Sequence, residues 1–327
     1  MPLLLDRKAL RPLFTEARWI EESFQVIERS LLEGAGRFSW LHMPLADGYG
    51  QGDGRRTVNV QVETVPPGGG YVRVYPDRSA TAPSGGHPAL LLDADGRLLA
   101  LLAADDLNAW RTAAPVAVAA RLLARPGART VTVLGSGRQA EHHIRALRTA
   151  LPAVETIYVH SRTAEHRERL AATIAADGVA CRAVSDPAEA VASSDVISVT
   201  GRGYGDPLVD PAPKDGALVT SILPITVPDA HGSGPPRLVV PSLHGPESRS
   251  SGWDPPHGPP GAAAGRTARG VAVTLVDVLR GTADARTEPG EVVVYEQRGQ
   301  FGWDHALMRW AYLRASETGA GVPFDLV

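Results

Sequence analysis

Residues 131–143 read VTVLGSGRQAEHH, an apolar run suited to a buried strand that enters Gly135-Ser136-Gly137 and then a helical stretch. In the spacing Gly135-x-Gly137-x-x-Ala140, the first glycine makes a tight turn. The second lets a diphosphate approach the backbone, and a small third residue lets helix and strand pack closely. The freed N–H groups and the helix dipole then favour an anion. Ser136, Arg138, Gln139 and Ala140 belong to the expected cofactor-binding set, together with Thr200 and Gly201 at the end of a strand expected over 195–200.

The end of the next strand selects the dinucleotide. NAD sites place Asp or Glu there for the ribose 2′-OH. Here, 25 residues after Gly135, the chain reads His160-Ser161-Arg162-Thr163. Two hydroxyls flanking a guanidinium suit a 2′-phosphate, which arginine binds by a charged two-pronged contact. NADP(H) is therefore expected in preference to NAD(H).

A second group of polar residues lies on an expected hairpin. TVNVQVETV (57–65) alternates strictly and joins YVRVYP (71–76) through PPGGG. Asn59, Gln61 and Glu63 share one face, opposite Val58, Val60 and Val62. Arg73 on the partner strand belongs to the polar face as a candidate substrate-binding cation, and Glu63 is a candidate acid or base. Arg111, on an expected helix over 108–124, is a candidate for binding a carboxylate or carbonyl oxygen. His42 is a weaker proton-donor candidate. Adjacent His142 and His143 face different directions on a helix and read as packing or surface residues, not a metal pair.

The elements that must position these groups fall into two patterns. A helix is expected over 16–33, with Trp19, Ile20, Phe24, Ile27 and Leu31 at helical spacing, followed by the 57–76 hairpin. A further hairpin spans 89–102 and turns at Asp95-Gly96. The 108–124 helix contains Pro115, which predicts a kink or a fresh start. From 131 onward strands (131–134, 156–161, 195–200, 217–223, 237–242, 292–296) alternate with helices, the signature of a parallel sheet covered on both faces. Residues 244–270, rich in Gly, Pro and Ser, are expected to form an irregular surface loop. A last helix follows Phe301, with Trp303, Leu307, Trp310 and Leu313 on one side.

Composition excludes several classes. A net charge of −3 gives no reason to expect nucleic acid or an anionic membrane. Cys181 is the single cysteine, which rules out an intrachain disulfide and disfavours a Cys-based zinc site. No apolar run of transmembrane length occurs, and a cytoplasmic protein is the expectation. Arginine supplies 31 of the 33 basic residues, so lysine chemistry has only two addresses, Lys8 and Lys214.

Through Arg111-Thr-Ala-Ala, LLARPGARTVTVLGSGRQAEHHI and VYEQRGQFGWDHAL, the chain resembles the ornithine cyclodeaminase/μ-crystallin family along nearly its whole length. The resemblance implies a discontinuous layout. Residues 1–112 would form the first part of an α+β substrate and dimerisation domain, 113–298 an inserted Rossmann-type doubly wound domain, and 299–327 a returning C-terminal helix. It also implies a homodimer that transfers hydride between a nicotinamide and a carbon bearing nitrogen.

Two family residues are missing. The family lysine falls at Gly70, and the position of the asparagine that often follows Pro76 lies in Asp77-Arg78. The family's catalytic aspartate falls at Ile225 or Thr226, with Asp229 the nearest carboxylate. A carboxylate base contributes about 10²- to 10⁴-fold, so these losses weigh against ornithine cyclisation. The leading expectation is an NAD(P)H-dependent reductase or dehydrogenase acting on a C=N or C–N bond. The alternatives are a cyclodeaminase-like ammonia lyase and a non-catalytic NADPH-binding protein.

Overall fold

A computed structural model describes residues 1–34, 37–44, 57–76, 86–201, 212–223, 225, 227, 236–242, 273–297 and 302–325. The expected 244–270 loop, Asp77, Arg78, Thr226 and Asp229 lie outside these residues.

Two sheets organise the chain. The first begins with β1 (Leu3–Leu5), after which come α1 (Arg7–Leu10), a 3-10 turn and α2 (Ala17–Glu33). It continues with β2 (Arg37–Pro44), β3 (Thr57–Thr64), β4 (Gly70–Pro76), β5 (Pro88–Leu92) and β6 (Leu98–Ala103). The 57–76 and 89–102 hairpins form as the alternation predicts, and Gly96 takes the positive φ of 79° that their second turn requires. β2 was not anticipated, nor was the contribution of the N-terminal leucines as β1, which pairs parallel to β6.

The long helix α3 (Asp105–Leu123) leads into the second sheet and runs through Pro115 as one helix, without a fresh start. An interior proline costs about 3 kcal/mol. Here it is offset by burial, because 14 of the helix's residues are buried between α2 and the elements that follow.

The second sheet contains β7 (Thr130–Leu134), β8 (Thr156–His160), β9 (Ala180–Val184), β10 (Val196–Val199), β11 (Leu218–Ser221), β12 (Arg237–Val240), β13 (Val273–Thr274) and β14 (Val293–Glu296). Between them run α4 (Arg138–Ala150), α5 (Ala164–Ala176), α6 (Ala188–Ser193) and α7 (Leu275–Leu279). All its pairings are parallel, in the order β13-β12-β14-β11-β10-β7-β8-β9. This is the doubly wound Rossmann arrangement. Its order reverses at β7, and ligands bind at such a switch point beyond the strand C-termini. The chain ends with α8 (Trp303–Thr318) and β15 (Val322–Pro323), which returns to pair with β1 in the first sheet.

On α8 the residues Trp303, Leu307 and Trp310 are buried, but Leu313 is 41% exposed. The inward face instead takes Met308, Ala311 and Ala315. Apolar residues on both sides of this helix conceal its true inward stripe.

The first sheet has two unlike faces. Registers Gln61↔Arg73↔Ala89 and Glu63↔Tyr71↔Leu91 set one face, which is buried towards the helices. Registers Leu41↔Val60↔Val74 and Val62↔Val72↔Leu90 set the other, an apolar stripe on which Leu41 and Leu90 are each 38% exposed. Among the described residues no helix is long and apolar enough to cross a membrane.

Candidate active site

The glycine turn sits at the switch point. Gly135 has φ 140°, and a Cβ there would meet Thr200 Oγ1 at 2.2 Å. Thr200 is held in place by its own Oγ1 and N, which both donate to the Leu134 carbonyl at 3.2 and 2.9 Å. Gly137 is the N-cap of α4, without a side-chain cap, so the first amides of that helix point outward unpaired by a cap. A Cβ on Gly137 would meet only open space. Ala140, fully buried, is the small residue in the helix–strand packing.

Around the turn lies a cavity of about 370 Å³. It brings together Gly135, Ser136, Gly137, Arg138 and Gln139 from the turn and helix, and Thr200 and Gly201 from the end of β10. Ser161, Arg162 and Thr163 line the β8 end, joined by His166 on α5. Ala140 is the one member of the expected cofactor set that lies beneath the wall and not on it. Ser136 Oγ donates to Ser161 Oγ at 2.8 Å, which ties the turn to the second strand. No carboxylate lines the cavity among the described residues, and Arg162 is exposed on its rim. Arg138 is already engaged, pairing with Asp105 at 3.0 Å and Asp106 at 3.6 Å. Gln139 Oε1 is buried with no bonded partner among the described residues. An uncapped helix start, open space at Gly137 and an orphan acceptor suit a phosphorylated dinucleotide.

Beside this cavity lies a buried polar cluster built from the first sheet, α3 and α8. Arg73 is 2% exposed. Its Nη1 donates to Asp304 Oδ1 at 2.8 Å and to Asn108 Oδ1 at 3.0 Å, and its Nη2 donates to Gln61 Oε1. Arg111 Nη2 donates to the same Asn108 oxygen at 3.1 Å, and its Nε lies 3.6 Å from Asp304 Oδ2. Two guanidinium groups therefore share one carboxylate. Arg111 keeps 26% of its side chain accessible, whereas Arg73 is enclosed. The accessible member is Arg111, and Arg73 is its buried support.

Glu63 stands at the other end of the cluster, 1% exposed. It accepts from the Gly302 amide and from Tyr71, which in turn accepts from Gln61 Nε2 at 2.6 Å. Burial, reinforced by the charge of Asp304, pushes its carboxyl up to about 8. At neutral pH Glu63 holds its proton, and the cluster carries one positive charge in excess.

His142 packs edge-on against Phe14 and Trp110, and its Nε2 lies 3.7 Å from Asp106. His143 is fully buried against Ser198 Oγ at 3.1 Å, with burial lowering its pKa to about 3, so it is neutral. The two rings diverge as expected, and no metal-binding group of His, Cys, Asp or Glu occurs among the described residues. His42 pairs with Asn59 in the β2–β3 register.

Lys214 pairs with Asp195 at 2.7 Å, and the same Asp195 accepts from Arg129 and Thr130 at the strand ends opposite the cavity. Lys8 is exposed on α1, so neither lysine joins the cluster. Ile225, 8% exposed, packs in an apolar cluster with Val199, Val219 and Val294, and its amide donates to Glu296 at 3.2 Å.

Sequence reasoning missed Asn108 and Asp304. Asp304 does stand in the VYEQRGQFGWDHAL segment, but Arg73 lies 231 positions away, so spacing could not pair them.

The fold and cavity define an α/β protein of Rossmann-type topology with a switch-point cavity and an arginine-rich cluster beside it. Comparison with known proteins narrows the class. The family model for the ornithine cyclodeaminase/mu-crystallin family matches residues 63–211. L-lysine cyclodeaminase of Streptomyces rapamycinicus is 39% identical over 38% of this chain and 37% of its own length. The ketimine reductase mu-crystallin of Mus musculus is 33% identical over 46% of this chain and 48% of its own. The matched stretch thus spans less than half of either curated relative. The Thermococcus litoralis Delta(1)-pyrroline-2-carboxylate reductase, solved with NADH and L-proline, superposes over 98% of this chain and 100% of its own. Its TM-score is 0.76 at 20% identity, a likeness of fold. Over residues 63–211 the chain is therefore similar to the ornithine cyclodeaminase/mu-crystallin family.

Proposed function

We propose that this protein is an NAD(P)H-dependent oxidoreductase that reduces a C=N bond, or oxidises the corresponding C–N bond, in a small molecule bearing a carboxylate. The observation that carries the reading is the junction of two sites. A carboxylate-free cavity at the glycine turn meets, at Asn108, two arginines that share a single aspartate. Relatives whose names state ketimine reduction and cyclodeamination support chemistry at a carbon bearing nitrogen.

The amides at Gly135–Gly137 and the start of α4 would hold the dinucleotide's diphosphate, and Ser161, Arg162 and Thr163 its ribose end. The lack of an acidic residue there favours NADP(H) over NAD(H). When bound, the nicotinamide supplies a hydride to an electrophilic carbon. Arg111 orients the acceptor by its carboxylate, and Arg73 and Asp304 fix the Arg111 side chain. Glu63 keeps a proton on its carboxyl below about pH 8. The apolar outer face of the first sheet supports a homodimer formed by a second copy. Residues 1–112 with 299–327 would make the substrate and dimerisation part around a nucleotide-binding part at 113–298. A lone cysteine suits the reducing cytoplasm.

One observation favours a second reading, ammonia loss with cyclisation: the 39% identity to a lysine cyclodeaminase. Incubation with NADPH and small cyclic imino acids separates the readings. NADPH oxidation supports reduction. Ammonia release from diamino acids without net cofactor change supports the lyase. Tight NADPH binding with neither outcome leaves a binding protein.

A further inference from the structure

We infer that Asn108 is a positioning residue for the nicotinamide half of the dinucleotide, donating a hydrogen bond from Nδ2 to an oxygen of that half. The inference rests on the proposed cofactor reading and goes beyond it in assigning one atom a task. The orientation of the Asn108 amide follows from chemistry. Its Oδ1 accepts from Arg73 Nη1 at 3.0 Å and Arg111 Nη2 at 3.1 Å, so both lone pairs of one oxygen are taken by guanidinium donors. A flipped amide would aim NH₂ hydrogens at two cations that can only donate. Nδ2 is therefore the group left to face away from the arginines, and Asn108, partly exposed, lines the cavity.

Strand order identifies which part of the ligand it meets. The turn after β7 sits between the ends of β8 and β10. Ser161, Arg162 and Thr163 mark the β8 side as the phosphorylated adenosine end, with the diphosphate over the turn. Asn108 belongs to the remaining end, because Thr112, one turn further along α3, accepts from Gln297 just after β14, on the β10 side of β7. A single side chain thus contacts both sites, holding Arg111 and its support Arg73 with its oxygen and the cofactor with its nitrogen.

Asn108→Asp isolates the second task. The carboxylate keeps and strengthens the bonds to Arg73 and Arg111 but replaces the inward donor with an acceptor. Calorimetry with NADPH and with adenosine 2′,5′-bisphosphate, which lacks the nicotinamide riboside, reads the effect without turnover. The expected result is an NADPH affinity lowered about 10- to 100-fold with the bisphosphate affinity unchanged. Retained bisphosphate binding also certifies the fold of the variant. A variant that binds NADPH as tightly as the wild type overturns the inference. A wild type that binds neither nucleotide overturns the cofactor reading instead.

Discussion

Glu63→Gln tests the electrostatics of the polar cluster directly. The carboxyl is 1% exposed, faces Asp304 and is pushed from 4.5 up to about 8, chiefly by burial. Because the folded value lies above the unfolded one, the folded state binds more protons between those limits, and stability falls as pH rises through this window. Below 4.5 the proton is bound in both states and nothing is lost. Well above 8 the loss is complete, at about 5 kcal/mol with about 1.4 kcal/mol per unit. The loss is about 1.5 kcal/mol near pH 5.5 and close to its limit, about 4.5 kcal/mol, near pH 8.5. Glutamine keeps an oxygen for the Gly302 amide and an amide to face Tyr71, and it does not titrate. Urea unfolding of the cofactor-free protein at both pH values compares the pair. The advantage of the variant should widen by about 3 kcal/mol from the lower to the higher pH. All other titrating groups are common to the two proteins and cancel. Parallel stability profiles would refute the claim that Glu63 is a proton-holding buried carboxyl.

Arg162→Asp should weaken NADPH far more than NADH in calorimetric titration, because only the former carries the 2′-phosphate; equal losses remove the basis for NADP(H) preference. Arg111→Ala should abolish turnover and leave NADPH affinity within about twofold, since one hydrogen bond to Asn108 is lost without altering the glycine turn; surviving turnover denies it the acceptor-orienting role. Gly135→Ala combines a φ of 140° with a contact of 2.2 Å to Thr200 Oγ1, and should lower the melting temperature and eliminate nucleotide binding together. Val60→Asp places a charge in the middle of the outer stripe flanked by Leu41 and Val74, and light scattering should show a dimer becoming a monomer.

What the sequence made legible was local. The glycine turn and its strand lie within ten residues, and the β3–β4 hairpin declares itself through strict alternation, which also puts Gln61 and Glu63 on one face with Arg73. What it concealed depends on chain return. Asp304 meets Arg73 because β15 pairs with β1 and brings α8 against the first sheet, a closure no local pattern encodes. Asn108 sits in a stretch readable only as helix, and its bond to Arg73 depends on β4 reaching α3, whereas Arg111 lies one turn along the same helix. At Pro115 a fresh helix start is one of two local expectations, and packing along α3 keeps the helix continuous there. The edge strands β9 and β13 are short, partly exposed or both, and carry too few alternating positions to stand out.

The two missing family residues are linked by charge. The expected lysine falls at Gly70, where a Cβ would meet the Glu63 carbonyl at 2.4 Å, so this backbone has closed over the position and admits no side chain. The expected aspartate falls at Ile225, or at Thr226 beside it, and Ile225 is absorbed into an apolar cluster. Losing one cation and one anion leaves the net charge of the pocket unchanged. The surplus positive charge therefore resides in Arg73 and Arg111 over Asp304, with Glu63 protonated. Under the proposed reading, that surplus is what an acceptor's carboxylate would neutralise in the absence of the lysine. Ring closure with ammonia loss asks for a base to take a proton and an acid to return it, and the aspartate's position no longer supplies one. Reduction of a C=N bond asks for one proton at nitrogen and one hydride at carbon. The residues that persist are matched to that smaller demand.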